Sequence, residues 1–216
     1  MRLTQTPMCR EMVSRETVSR KKLHGVLPAI IEIGFFGLGI LDLVVANAIV
    51  CSEAYLKKLS NARPLKIRAS VLGTGTDRDL DGQDIGERLA KQAYEMAGVG
   101  PADISLAELH DATAYGELHQ TEAMGFCPMG EGGPWAETGA TRLGGKQPVN
   151  TSGGLECRGH PIGASGLAQI YEIGIQLRGD AGNRQVDGAR LGLAENGGGN
   201  IGVEETAMCI HILEKG

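Results

Sequence analysis

Aromatic residues are scarce in this chain, 4% of its 216 positions with a single tryptophan, and basic residues are outnumbered, 21 Lys and Arg against 26 Asp and Glu. A nucleic-acid surface needs a basic stripe and often stacking rings, so a net charge of −5 sets that class aside. The five cysteines, Cys9, Cys51, Cys127, Cys157 and Cys209, are odd in number and form no C-x-x-C pair. Neither a secreted disulfide framework nor a zinc knuckle is supported, no metal site is expected, and a reducing cytoplasm is the expected location. Long uninterrupted apolar runs are also missing. Glu32 and Asp42 divide the stretch from Val26 to Val50 into pieces shorter than the ~20 residues a membrane span requires. Pro28, Gly34, Gly37 and Gly39 weaken any helix there.

What the chain has in excess is glycine, 33 residues and about twice the usual share, without collagen's period of three. With 42% hydrophobic and 22% charged residues the chain should fold, and the glycines must serve loops. The sequence changes character near Ala46. Residues 1–45 are a basic stretch, with Arg2, Arg10, Arg15, Arg20, Lys21 and Lys22, followed by an apolar one without a clean period. Residues 46–216 read as one punctuated domain.

In that domain Ala48–Cys51 reads as a strand running into a helix over 53–59, and 66–72 alternates as a half-buried strand. Asp84 with Glu87 three residues on forms a capping box, after which Ile85, Leu89, Ala93 and Met96 make an apolar helical face ending at Gly98. Ile104, Leu106 and Leu109 mark a strand that delivers His110 and Asp111 at its end. A helix is expected over 115–124, one long Gly/Pro loop over 125–145, a helix opened by Pro161 and stopped at Gly179, and two closing strands over 189–194 and 206–213. This alternation predicts a layered α/β domain whose last two strands form an antiparallel pair.

Three motifs imitate known sites and fail. Asp77, Asp79 and Asp81-Gly82 resemble the start of a calcium loop, but Arg88 stands where a bidentate Glu must close it. Gly197-x-Gly199-x-x-Gly202 leads into a strand instead of the helix a dinucleotide site needs. Gly163-Ala164-Ser165 is half of a nucleophile elbow, with Leu167 in place of its last glycine.

The segment 150–166 is the chemically suggestive one: five glycines surround His160 and Pro161, permitting close backbone approach. A histidine just before a helix-starting proline would sit at the positive helix end, which favours a neutral imidazole. A loop histidine satisfied by backbone is the alternative.

This segment resembles the GHP loop of the thiolase superfamily. His110-Asp111-Ala112-Thr113 is similar to its HDxF motif, and Glu195-Asn196-Gly197-Gly198-Gly199 stands in the place of its CxGGG turn. The order and spacing fit about residues 48–213, the C-terminal half of that fold, with the nearest likeness to the sterol carrier and lipid-transfer-protein branch. The resemblance implies a layered half-fold, a mixed sheet with helices packed on it. It implies His160 as activator of a cysteine nucleophile supplied by an N-terminal half, and His110 as donor to the thioester carbonyl. Gly197 would offer an oxyanion N–H, and Asn196, Asp111 and Ser152 would line the substrate site. No cofactor is implied beyond a coenzyme A thioester as substrate.

The departures are equally specific. Glu195 replaces the acid/base cysteine, and either a proton-shuttle role at a raised pKa or a structural role on loop N–H groups is open to it. Asp111 equally suits a cap on the following helix, with Tyr115 and Glu117 on a solvated first turn. Cys9 lies in the basic opening stretch, which suits a truncated or mis-started reading frame. The expected function is a thiolase-like acyltransferase domain working with an N-terminal half or second subunit. The alternatives are a non-catalytic lipid or acyl-CoA binding module and a retro-aldolase on steroid-type acyl-CoA. An apolar face left open, oligomerisation, and partial cover from Val26–Val50 are expected.

Overall fold

The computed structural model describes the backbone of residues 28–38 and 43–216 and the side chains from residue 48 onward. The basic opening stretch with Cys9 lies outside the described residues. Among the described residues six strands form one mixed sheet: β1 (Pro28–Leu38), β2 (Leu43–Ser52), β3 (Leu65–Thr74), β4 (Leu106–Glu108), β5 (Leu191–Gly198) and β6 (Ala207–Lys215), in the order β2-β1-β3-β6-β5-β4. Among the described strands only the β4–β5 pair is parallel; β5 and β6 are antiparallel, as expected. The apolar stretch extends the sheet: β1 pairs with β2 and, through Ala29 opposite Lys66, with β3. β2 runs continuously across position 45.

Among the described residues six helices accompany the strands: α1 (Glu53–Leu56), α2 (Ile85–Ala97), α3 (Ala114–Ala123), α4 (Gly132–Glu137), α5 (Gly154–Arg158) and α6 (Ser165–Arg178). α2 has the expected capping box at Asp84 and Glu87 and ends on left-handed Gly98, so both helix ends are closed locally. Its buried face is Ile85, Leu89, Ala90, Ala93, Tyr94 and Ala97. Met96, expected on that face, is 58% exposed, because a stripe at 85, 89 and 93 continues at i+4 to Ala97. The expected loop over 125–145 contains α4, and α5 was not expected at all. The helix expected to open at Pro161 begins at Ser165; a preceding turn closes with the Ala164 and Ser165 N–H groups on the Pro161 carbonyl.

Strand alternation divides the core into two layers. On one face Ala69, Val71, Leu193, Met208, Ile210 and Ile212 pack with α2. On the other, Leu65, Leu106, Ala194 and Leu213 pack with Ile170, Ile173 and Leu177 of α6. α6 lies close because Gly192 has no side chain: a Cβ there would fall 2.4 Å from Ile173 Cγ2. The α6 face is covered only in part, since Leu72 is 77% and Ile162 84% exposed. Ile162 lines a hollow of about 300 Å³ together with Leu167, Asn196, Cys209 and His211 among others. Among the described residues no helix is long and apolar enough to cross a membrane.

Candidate active site

The segment after β4, the loop before α6 and the end of β5 converge at one end of the sheet. His110 leaves β4 with its backbone N–H donated to Glu195 Oε2 at 2.9 Å. Asp111 turns away from α3, whose N-cap is Thr113, bonded to the Gly116 N–H. Asp111 instead accepts the Leu155 N–H at 2.7 Å, capping α5, and so ties the His110 segment to the loop that carries His160. Gly154 makes this possible: its φ is +63°, and its missing Cβ leaves room for the Asp111 carboxylate. Asn150 adds a second tie, accepting the Leu109 N–H at 2.8 Å and donating to Glu117 Oε2 at 2.7 Å. Glu117 is therefore half-buried and engaged, while Tyr115 is exposed.

As a result the His110 and His160 rings meet edge to face, centroids 5.0 Å apart. The His110 pKa is pushed below its ordinary value, chiefly by burial and then by the neighbouring His160, and its buried Nδ1 has no partner among the described residues. His160 sits in an exposed loop five residues before α6, so its orientation comes from a side chain and not from a helix end. Its Nδ1 lies 2.8 Å from Ser165 Oγ, and Ser165 Oγ donates to the Pro161 carbonyl at 3.2 Å. With the hydroxyl proton committed to Pro161, Oγ accepts from Nδ1–H, and Nε2 is left as the basic nitrogen. Ser165, visible in the sequence only as a failed elbow serine, is a residue the motif reading missed.

Glu195 is fully enclosed on β5. Burial raises its pKa to about 8, its Oε2 holds the His110 N–H, its Oε1 has no partner among the described residues, and it lines neither cavity at this end of the sheet. Asn196 donates to Gln169 Oε1 at 3.2 Å. Gly197 pairs with Met208 in the β5–β6 ladder and, with Gly198, Gly199 and His110, lines a cavity of about 610 Å³. Ser152 stands apart: its hydroxyl and N–H are bonded to Glu108 at 2.5 and 3.0 Å, beneath the loop. Glu108 is buried and its pKa raised to about 7, first by desolvation.

The far wall of the same cavity holds groups the motifs did not announce. His119 Nε2 lies 3.2 Å from Asp84 Oδ2, and its ring stacks on Tyr115 with centroids 5.9 Å apart. Glu204 anchors that wall by accepting from Arg78, Arg88, and the Thr76 and Ile85 N–H groups. These partners outweigh burial and pull its pKa down to about 2. Arg88 thus serves Glu204, and the Gly197–Gly202 run leads into β6.

Residues 76–214 match the family described as Thiolase C-terminal domain-like. The chain is 39% identical over 175 residues to an acetyl-CoA acetyltransferase of Methanothermobacter thermautotrophicus, covering 79% of this chain and 45% of the relative. It is 42% identical over 161 residues to sterol carrier protein 2 of Bos taurus, covering 70% and 30%. Among solved structures, one titled "Ltp2-ChsH2(DUF35) aldolase" superposes with a TM-score of 0.59 at 25% identity, covering 80% of this chain and 44% of that one. The chain spans less than half the length of each.

Proposed function

The chain belongs to the thiolase C-terminal domain-like family, and on that premise we propose that it forms the C-terminal half of an acyl-CoA acyltransferase site. The observation that carries this reading is the His110–His160 pair: two imidazoles from separate motifs, 5.0 Å apart, with His110 facing an open cavity. The His160 Nε2 removes the proton of a cysteine thiol supplied by an N-terminal half or second subunit. The thiolate attacks the thioester carbonyl, whose oxygen takes hydrogen bonds from the His110 ring and the Gly197 N–H. Coenzyme A leaves as the thiolate and recovers the proton, giving an acyl-enzyme. Glu195 acts here as a structural carboxyl that fixes the His110 backbone.

The partner that brings the cysteine would cover the α6 face near Leu72 and Ile162, where apolar side chains stand exposed. The protein is accordingly expected to associate with that partner or with itself, in a reducing compartment. Mixing the chain with a thiolase N-terminal half and assaying acyl transfer from acetyl-CoA tests the reading. Transfer that depends on both His110 and His160 supports it, and no transfer with no binding of acetyl-CoA overturns it.

The structural neighbour's title favours a second reading, carbon–carbon cleavage of a β-hydroxyacyl-CoA. Release of an aldehyde or ketone from such a substrate would place this reaction ahead of acyl transfer. Calorimetric acyl-CoA binding without either reaction would instead indicate the binding-module role that the sterol carrier relative's name suggests.

A further inference from the structure

Glu108 is a buried acid placed beneath both histidine segments. Resting on the acyl-transfer reading of the site, we propose that Glu108 and Arg158 form a positioning pair for His160: Glu108 grips both ends of α5, and Arg158, two residues before His160, passes the charge state of that acid on to the orientation of the imidazole.

Glu108 closes β4 two residues before His110 and is fully enclosed. At the start of α5 its Oε1 accepts the Ser152 N–H at 3.0 Å and its Oε2 accepts the Ser152 hydroxyl. At the end of α5, Arg158 Nη2 lies 3.9 Å from the same Oε2, close enough for attraction and too far for a hydrogen bond. Arg158 Nε and Nη2 are buried and have no hydrogen-bond partner among the described residues. A guanidinium left in that condition is costly, and Glu108 is the one acid within 4.0 Å of it among the described residues. Only Gly159 then separates Arg158 from His160.

The other groups facing Glu108 leave its charge finely balanced. Thr151 Oγ1 lies 3.3 Å from Glu108 Oε1 and 3.1 Å from Glu172 Oε1 on α6, and its single proton serves one of them at a time. Glu172 has firmer partners, Arg184 at 2.8 Å and Gln176 at 3.0 Å, and Arg184 also acts on Glu108 from the turn after α6. Desolvation first raises the Glu108 pKa to about 7, with Glu172 adding to it and the Ser152 bonds and Arg158 opposing. Both forms are therefore populated near neutral pH. The neutral acid leaves Arg158 at the open distance. The carboxylate draws Nη2 into a bonded one, and the backbone that leads to His160 follows.

The test is a double-mutant cycle on acyl transfer by the full chain with a thiolase N-terminal half, at about pH 8, where Glu108 is mostly ionised. Glu108→Gln keeps an acceptor for Ser152 and removes the charge; Arg158→Met keeps the apolar stem and removes the guanidinium. Each should lower kcat about tenfold, the order of one charged hydrogen bond, with KM unchanged, because His160 acts on the thiol and not on thioester binding. The double variant should be no slower than either single one, and Arg158→Lys should recover part of the loss. NMR of the wild-type chain alone supplies a readout independent of the variants' folding. Its Arg158 Nε–H and His160 ring signals should move together across about pH 6–8, and in Glu108→Gln the Arg158 signal should stay fixed. Losses that multiply in the double variant, a raised KM at unchanged kcat, or a wild-type Arg158 signal indifferent to pH would overturn the inference and leave the acyl-transfer reading standing. Absence of transfer in the wild-type mixture would remove that reading, and the NMR titration would still decide whether Glu108 acts through Arg158.

Discussion

His110 and His160 touch ring edge to ring face at an interplanar angle of 81°, although 50 residues separate them in sequence. Charge on one ring is therefore felt by the other. His160→Asn removes the second cause of the lowered His110 pKa and leaves the first, burial. The His110 pKa should rise part of the way toward its ordinary value in an NMR titration, and no change would show that the rings are electrostatically independent.

Ser165→Ala should release the His160 tautomer. Without an oxygen at 2.8 Å both neutral tautomers become populated, and the ring-nitrogen chemical shifts should average. In an acyl-transfer assay with an N-terminal half, the loss expected is about five- to tenfold, the worth of one hydrogen bond. Ser165→Thr keeps the hydroxyl and should recover the shifts.

Gly154→Ala tests the tie between the two histidine segments. Alanine at a φ of +63° costs ~1–2 kcal/mol, and its Cβ would displace the Asp111 carboxylate from the Leu155 N–H, adding ~1–3 kcal/mol. Thermal unfolding should register a loss of several kcal/mol, together with altered His110 and His160 signals. A variant as stable as the parent would show that the loop tolerates another path.

Local signals were legible in the sequence wherever the chain closes its own structure. Asp84 with Glu87, Gly98, Gly179 and the alternation through β3 all act within a few residues, and each of these features appears in the structure. His110 and His160 could be paired in advance only through the motif resemblance. The residues that bring them together were hidden because their partners are distant in sequence: Asp111 was read as a cap for α3 and caps α5, and Asp84 was read only as a helix cap and also holds His119. Glu204 had no local signature, since its four partners lie more than a hundred residues upstream.

Two buried acids should make the protein less stable as the medium becomes more alkaline. Glu195 and Glu108 have folded-state pKa values raised to about 8 and about 7 from 4.5, so the folded state holds more protons than the unfolded chain between those limits. Their contribution is fully present below about pH 4.5 and is lost as pH rises through 7 and 8, each contributing at most ~1.4 kcal/mol per pH unit. Glu195→Gln should flatten the decline measured by denaturant unfolding from pH 5 to 9. An unchanged slope would show that Glu195 is ionised when folded.

Glu204 behaves in the opposite sense. Its pKa is lowered to about 2 from 4.5, so its stabilisation is present above about pH 4.5 and is lost as pH falls toward 2. Glu204→Gln strands Arg78 and Arg88 and should cost ~3 kcal/mol at neutral pH, read as a lower midpoint in urea. A loss under 1 kcal/mol would mean that the two arginines find other partners.

The position of β6 has a consequence for how the domain comes into being. It is the last of the described elements and yet runs between β3 and β5, pairing Leu65 with Lys215 on one side and Leu191 with Glu214 on the other. Until those residues leave the ribosome, β3 and β5 have no common neighbour and the two apolar layers have no shared floor. Assembly must then close a loop of most of the domain in one step, which is slow for such distant pairings. During synthesis the nascent chain therefore carries unpaired strand edges that a chaperone would be expected to shield.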